Sequence, residues 1–234
     1  MEKKISKKIY DYYQSLFEQY GFDPKSVGWG SKKGKQSLRF EILCQIGQLS
    51  NSSILDVGCG FGDLYGYLRY RRIKVRYHGV DINQNLLNIG KKFYPGISLE
   101  LRDFEKKKFH KKFDWILASG ITSHGSTYSH LAGVMKEMFQ ICKKGFAMNF
   151  VSDKIDYKTK GLFYSSPEKI LSITKSITNR FVLRHDYMPF EFTLYIYKDS
   201  RKTTNNIFKD YIKNSGVYLN DEKWHPSYNR INVF

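Results

Sequence analysis

The sequence predicts an α/β fold built on a largely parallel β-sheet. Apolar runs of strand length alternate with amphipathic segments from residue 52 to residue 151. The first of these runs leads directly into a glycine-rich turn and then into a helical pattern. Strands buried on both faces appear as short apolar runs, and two parallel neighbours need a crossover helix between them. We therefore expect strands and helices to alternate, with helices covering the sheet.

An N-terminal segment precedes this alternation. Residues 4–20 carry apolar side chains at helical spacing with lysines opposite, and Gly21 is a typical residue just beyond a helix. Residues 38–49 predict a second helix that leads into the first strand. We interpret residues 1–50 as an N-terminal helical cap and residues 51–198 as the ligand-binding domain.

The turn after the first strand is the most informative segment of the chain. Gly58, Gly60 and Gly62 stand at alternate positions, and Asp56 lies two residues before the first of them. Glycine has no Cβ and tolerates positive φ, so the backbone can bend sharply there and approach a bound molecule. The spacing differs from the G-x-G-x-x-G pattern of dinucleotide-binding folds, which argues against a dehydrogenase.

The following strands carry polar residues where ligands bind in such sheets. Residues 77–82 form an apolar strand that ends in Asp81, whose carboxylate can accept two hydrogen bonds from a ribose. Further strands are predicted at residues 97–101, 113–120 and 145–151, with a helix over about 129–143.

The C-terminal part predicts one more helix and a hairpin. Ser166 and Pro167 are a capping residue and a first helical residue. Two strands at residues 181–187 and 192–198 follow with a short link. Residues 199–234 form a C-terminal extension rich in aromatic residues, which we expect to pack back on the core or on a second subunit.

These motifs, in this order, resemble the class I S-adenosylmethionine-dependent methyltransferases over approximately residues 36–198. The resemblance implies a doubly wound, Rossmann-like, seven-stranded mixed sheet with an antiparallel terminal hairpin. It also implies S-adenosylmethionine as the cofactor, with the leading helices covering it. The cofactor-binding residues that it implies are Asp56, Gly58, Cys59, Gly60, Asp81, Ile82, Asp103, Phe104 and Ser119.

The resemblance also suggests roles for some of these residues. Asp56 would face the ammonium group of the cofactor, Asp81 the ribose, and Asp103 the adenine amino group. Arg39 could clamp the cofactor carboxylate bidentately, or it could be an ordinary surface arginine. Both interpretations of this arginine stay open.

Two histidines are candidates for a general base, which helps when a hydroxyl or an ammonium is methylated. His124 follows the predicted fourth strand, and His185 lies at the end of the predicted sixth strand. Each is either a catalytic or substrate-binding residue or a structural one. His130 begins a helix, where we expect it to be only a neighbour of the cap.

Some methylation chemistries are disfavoured by what stands after the fourth strand. The family members that methylate adenine or glutamine amides carry an Asn/Asp-Pro-Pro-Tyr/Phe tetrad there, whereas this chain has residues 118–121, Ala-Ser-Gly-Ile. Cytosine C5 enzymes need a cysteine near the same place, and none is present. Asp114 begins its strand, at the wrong end for a ligand, so we expect no metal.

The sequence therefore favours transfer of a methyl group to an oxygen or nitrogen of a small-molecule acceptor, such as a metabolite, sugar or natural product. The net charge of +17 leaves an RNA methyltransferase open, because basic proteins attract polyanions, although solvated lysine-rich faces and compositional drift are the favoured explanation. A non-catalytic scaffold with the cofactor fold is the other alternative.

Composition adds expectations about location. Three scattered cysteines fit a reducing cytosol, and the sequence has neither a run of eighteen apolar residues nor a secretory signal. We expect a cytoplasmic monomer or homodimer.

Overall fold

The structure is a computed structural model that describes residues 2–28, 33–104, 106, 109–122, 125–156 and 158–198. The predicted C-terminal extension, residues 199–234, lies outside the described residues.

The described part of the chain alternates helices and strands. Its helices are α1 (Glu2–Tyr20), α2 (Lys33–Cys44), α3 (Asp63–Tyr70), α4 (Gln84–Phe93), α5 (Tyr128–Ile141) and α6 (Pro167–Lys175), with a 3-10 turn at Pro24–Val27. Its strands are β1 (Ser53–Val57), β2 (Arg76–Asp81), β3 (Leu99–Leu101), β4 (Phe113–Ala118), β5 (Cys142–Val151), β6 (Phe181–Met188) and β7 (Glu191–Tyr197).

The strands form one seven-stranded sheet in the order β3-β2-β1-β4-β5-β7-β6. The pairs from β3 through β5 are parallel, whereas β7 runs antiparallel to both β5 and β6. The predicted mixed sheet with an antiparallel terminal hairpin is thus confirmed. The strand order reverses between β1 and β4, which is the position where open α/β sheets form a ligand crevice.

A separate hydrophobic core covers each face of the sheet. On one face, α5 and α6 pack over β4 and β5, with Phe146 and Ile116 fully buried. On the other face, α2 and α3 pack over the same strands, with Leu43 and Leu64 at the centre. Burial on both faces explains the apolar runs in the sequence, since all five residues of β1 are buried.

Element boundaries differ from the prediction where the chain turns tightly. The second helix spans Lys33–Cys44 and so begins and ends earlier than the predicted residues 38–49; beyond it the chain passes close to Trp115, where a Cβ on Gly47 would lie 2.8 Å from the indole. α5 runs directly into β5, which begins at Cys142, and this residue pairs with Phe113 at the start of β4. Both changes leave the topology as predicted.

Helix starts follow the capping residues of the sequence. The Ser166 hydroxyl accepts the backbone N–H of Lys169 at 3.3 Å, and Pro167 takes the first position of α6. Thr127 caps α5 in the same way. Within the described ranges, no helix has both the length and the apolar character needed to cross a bilayer.

Candidate active site

A cavity opens at the carboxyl ends of β1, β2 and β4. It encloses about 1140 Å³, a volume that includes the open space at its mouth. Its walls come from the turn after β1, the ends of β2, β3 and β4, the first turns of α5, and the N-terminal helices α1 and α2.

The glycine turn forms the floor of this cavity. The backbone N–H groups of Gly58 and Cys59 both donate to the carbonyl of Val80, which ties the turn to β2. Gly58 has φ +71°, and a Cβ there would lie 2.4 Å from the Cγ2 of Ile121. Gly60 has φ +55°, with Val27 on its open side. Only glycine fits these two positions without strain, so the backbone itself faces the cavity.

Asp81 holds the end of β2 against the glycine turn. Its two carboxylate oxygens accept the backbone N–H groups of Gly60 and Asn83, each at 2.9 Å. Burial raises the pKa of Asp81, and these backbone hydrogen bonds lower it. A carboxylate oxygen has a second lone pair, so Asp81 can still accept hydrogen bonds from a ligand.

Asp56 lies beneath the glycine turn and lines the cavity. Its side chain is almost completely buried, and the Tyr77 hydroxyl donates to its carboxylate at 2.5 Å. Burial raises the pKa of Asp56 to about 7, the Tyr77 hydrogen bond lowers it, and the charge of Asp81 raises it further. The cavity therefore contains a carboxyl group that is poised to ionise near neutral pH.

The end of β3 supplies Asp103 and Phe104. Asp103 lines the cavity and forms an ion pair with Lys106. Phe104 also lines it, with its ring largely buried in the core beside Val80. Ile82, just after β2, completes an apolar wall on this side.

The end of β4 is shaped by a buried side chain on β5. Asn149 accepts the backbone N–H of Gly120 at 2.9 Å and donates to the Ser119 hydroxyl at 3.4 Å. The Tyr13 hydroxyl on α1 donates to the Gly120 carbonyl at 3.4 Å. Ser119, Gly120 and Tyr13 all line the cavity, so this corner brings together three distant parts of the chain.

The N-terminal helices close the cavity with side chains that sequence analysis did not single out. The Gln14 amide oxygen on α1 accepts hydrogen bonds from Asn83 and Asn85, at 3.1 and 3.2 Å. On α2, Gln36 donates to Asp63 at 3.1 Å, and Gln36 and Phe40 line the cavity one helical turn apart. The helical spacing of Gln36 and Phe40 was the available signal, but it does not reveal which surface they face.

Two of the predicted site residues lie away from the cavity lining. Arg39 forms a buried bidentate ion pair with Glu191 at the start of β7. His185 lies on β6, where its Nε2 is 3.3 Å from the carbonyl of Pro189 and its ring packs against Phe192. The third, His124, lies outside the described residues.

Cys59 and His130 do line the cavity. Burial raises the pKa of the Cys59 thiol well above its ordinary value, so this residue fills space as a neutral group. The backbone N–H of His130 donates to the Thr127 cap, as expected, and its side chain additionally reaches the cavity. No group of three or more His, Cys, Asp or Glu side chains in the described ranges could hold a metal ion.

The charge of the lining is predominantly negative. Among the described lining residues, Asp56, Asp63, Asp81 and Asp103 are acidic, and Arg102 is basic. A cleft lined mostly by one sign of charge favours a ligand of the opposite sign. This cavity therefore suits a cationic molecule with hydroxyl groups and an apolar, planar part.

Comparison with known proteins agrees with this geometry. A family model described as a methyltransferase domain matches residues 54–145, which run from β1 into β5. A protein of Mycobacterium tuberculosis described as a methyltransferase is 27% identical over 158 residues, covering 63% of this chain and 94% of that protein.

Solved structures share the fold. The magnesium protoporphyrin IX methyltransferase of Synechocystis PCC 6803 has a TM-score of 0.62 at 14% identity, covering 83% of this chain and 97% of that one. The N-methyltransferase NodS of Bradyrhizobium japonicum has a TM-score of 0.61 at 13% identity, covering 82% and 98%. From β1 into β5, this chain therefore matches a methyltransferase domain, and its fold is shared with solved methyltransferases.

Proposed function

We propose that this chain transfers the methyl group of S-adenosylmethionine to an oxygen or nitrogen of a small-molecule acceptor. The observation that carries the proposal is the cavity at the carboxyl ends of β1, β2 and β4, where a glycine turn of positive φ lies among four aspartates. Such a combination suits a ligand with a cationic amino-acid part and a nucleoside part.

The donor set of the cavity fits this cofactor. The exposed backbone at Gly58 and Gly60 can approach the amino-acid part, with Asp56 nearby for its ammonium group. Asp81 keeps free acceptor capacity for the two ribose hydroxyls. Asp103 and Phe104, at the end of β3, would contact the adenine edge and ring, and Ile82, Cys59 and Ser119 would complete the site.

When bound, S-adenosylmethionine supplies a methyl group activated by its positively charged sulfonium. The leaving thioether needs no proton, so the contribution of the chain is to bind, orient and exclude water. The aspartates of the lining favour the positive charge of the cofactor. Held in this way, the methyl group would point toward the end of β4.

We place the acceptor beside Ser119 and Gly120. The Tyr13 hydroxyl and the Asn149 amide already organise hydrogen bonds at this corner. His124, four residues beyond Gly120, remains our first candidate for a general base. His185 remains a second candidate, for an acceptor that extends along the carboxyl edge toward β6.

The N-terminal helices would cap the cofactor, so that residues 1–50 act as a lid and residues 51–198 as the methyltransferase domain. This arrangement is supported by the hydrogen bonds that Asn83 and Asn85 donate to Gln14, and by the one that Gln36 donates to Asp63. Arg39 would then stabilise the lid through Glu191.

A small-molecule acceptor is supported by the relatives of known activity. The Synechocystis protein is a magnesium protoporphyrin IX methyltransferase with bound S-adenosylmethionine, and NodS is an N-methyltransferase in complex with S-adenosylhomocysteine. An RNA acceptor receives less support, because a polyanion would have to approach a predominantly acidic cavity lining.

Titration calorimetry of the full chain tests the cofactor assignment. We expect heat and a thermal shift with S-adenosylmethionine and with S-adenosylhomocysteine, and neither with NAD. Binding of NAD alone would overturn the proposal. A screen of metabolite extracts with methyl-labelled cofactor then identifies the acceptor, whereas cofactor binding without transfer in any extract would favour a scaffold.

A further inference from the structure

Exposed basic side chains line the edge of the sheet opposite the cofactor cavity. Because β1, β2, β4 and β5 are parallel, their amino ends meet at this edge. The residues at these ends include Lys74, Arg76, Lys111, Lys112, Lys143 and Lys144, which are all exposed. We call these six residues the basic edge. The sequence shows the excess of lysine and arginine, but it does not show where on the fold these residues lie.

The positive charge of the basic edge is only partly compensated. The carboxylate of Asp114 lies 3.6 Å from Arg76 and 3.8 Å from Lys143. The same carboxylate also accepts hydrogen bonds from the backbone and hydroxyl of Ser53, at 2.8 and 2.7 Å. One shared carboxylate leaves most of the six positive charges available to a partner.

The density of this charge resembles that of a nucleic-acid backbone. The residues extend from β2 across β1 and β4 to β5, which is three inter-strand steps or about 15 Å. Six charges over that distance give one positive charge per about 2.5 Å, against one negative charge per about 3.4 Å along one nucleic-acid strand. The spacing therefore suits several phosphates of one chain at once.

Helix dipoles account for only part of this pattern. Basic residues are favoured at the C-terminal ends of helices, and Lys143 and Lys144 follow directly after α5. The helix dipole does not explain Lys111 and Lys112, because no helix of the described ranges ends just before β4. Lys111 lies over the Phe113 ring, with its Nζ 5.5 Å from the ring centroid, and its exposed charge can still attract a partner of negative charge.

An exposed aromatic ring next to the basic edge favours a single-stranded partner. Tyr70, at the end of α3, is 82% exposed; Arg71, which forms an ion pair with Glu41, and Arg72 follow it. The chain after them is held to the start of β1, since the Asn51 N–H donates to the Lys74 carbonyl at 2.7 Å. Exposed aromatic rings beside basic residues stack unpaired bases, which a duplex does not offer.

We propose that the basic edge binds single-stranded nucleic acid through its phosphates, with Tyr70 stacking on a base. The partner would be bound at the end of the sheet away from the acidic cavity, so the cofactor and the acceptor could still enter. The nucleic acid is thus a docking partner and not the methyl acceptor. This inference stands independently of the methyltransferase activity, because it uses none of the cavity residues.

Fluorescence anisotropy with the full chain tests this surface. The probes are labelled oligouridine and oligothymidine of about 20 nucleotides, titrated between about 50 and 300 mM salt. The edge variant is K111Q/K112Q/K143Q/K144Q. The matched control, K7Q/K8Q/K158Q/K160Q, removes the same charge from lysines that are exposed elsewhere.

We expect wild type and control to bind within about twofold of each other, and the edge variant to bind at least tenfold more weakly at about 100 mM salt. Each lost phosphate contact on a single strand reduces the magnitude of the slope of log affinity against log salt by about 0.7. The slope of the edge variant, which lacks four lysines, should therefore be smaller by up to about 3. A Tyr70→Ala variant should lose affinity with little change in slope. Binding of either RNA or DNA supports the proposal.

Three results would overturn it. Wild type could fail to bind at about 100 mM salt, or both quadruple variants could lose affinity equally, which would mean that net charge alone acts. Alternatively, phosphatidylserine vesicles could bind where oligonucleotides do not. Titration with S-adenosylhomocysteine checks that the edge variant is folded, and a chain that binds oligonucleotide but no cofactor would refute only the proposed activity.

Discussion

Replacement of Asp56 by asparagine separates the energetic effect of its ionisation from that of its hydrogen bond. The carboxylate is buried under the glycine turn and accepts the Tyr77 hydroxyl, and an asparagine oxygen can accept the same hydrogen bond. The substitution therefore removes a titratable group while it keeps the shape and the hydrogen bond. Any pH dependence that disappears with it belongs to Asp56.

The sign follows from proton linkage. Burial raises the pKa of Asp56 to about 7 from an ordinary value of 3.8, so between these values the folded protein binds more protons than the unfolded chain. The contribution of Asp56 to the free energy of unfolding must then fall as pH rises from about 4 to about 7. Each unit of pKa difference between the folded and unfolded states is worth about 1.4 kcal/mol. The full change in the free energy of unfolding is therefore about 4 kcal/mol.

The measurement is urea denaturation of both proteins, without cofactor, at several values between about pH 4 and pH 8. The unfolding free energy of Asp56→Asn minus that of wild type should increase by up to about 4 kcal/mol across this range. A difference that stays constant with pH would refute the assignment of a buried, protonated carboxyl group. Subtraction of the wild type cancels the titration of all other groups.

Asp114→Asn is the matched control, because its pKa moves the other way. Partial burial raises that pKa, but hydrogen bonds from Ser53 and the charges of Lys143 and Lys144 lower it overall. Its carboxylate therefore contributes stability above the unfolded pKa and loses it as pH falls. The destabilisation caused by Asp114→Asn should be largest near neutral pH and shrink in acid.

Three further substitutions test the cavity. Gly58→Val places a Cβ at 2.4 Å from Ile121 in a backbone of φ +71°, so calorimetric binding of S-adenosylhomocysteine should disappear. The control is Gly133→Ala in α5, where a Cβ meets nothing within 4 Å, and it should leave this binding unchanged. Asp81→Ala should weaken the same binding by about 1–3 kcal/mol, and unchanged affinity would remove the ribose assignment. Asn149→Ala should destabilise the fold by about 1 kcal/mol in urea, since it removes the hydrogen bond between the Asn149 side chain and the partly buried N–H of Gly120; an unchanged free energy of unfolding would refute a stabilising role for this hydrogen bond.

The alternation of strands and helices could be predicted because it depends on local patterns. Apolar runs at β1, β4 and β5 and the glycines after β1 each report on a few neighbouring residues, and crossover rules then leave few topologies. Boundaries were less predictable because they depend on contacts across the fold. Just after α2, for example, Gly47 packs against Trp115, which is 68 residues later in the sequence.

The walls of the cavity were less predictable for the same reason. Tyr13 and Gly120 are 107 residues apart, and no pattern around either one indicates the other. Arg39 shows the difficulty clearly: its residue type suited a carboxylate, and the structure provides one, but it belongs to Glu191, 152 residues later. A residue type indicates a class of partner, whereas only the folded chain decides which member of that class it meets.

The distribution of charge could have been predicted in part. The position of each charged residue in the sequence carries information that is lost when the charges are added to a net value. In a parallel sheet, residues just before strands collect at one edge and residues just after strands collect at the other. Here Asp81 ends β2 and Asp103 follows β3, whereas lysines stand just before β4 and at the start of β5. The position of each charged residue relative to the nearest strand therefore predicts, from the sequence alone, an acidic sheet edge at the ligand site and a basic edge at the other end of the strands. A total of +17 assigns the positive charge to neither edge.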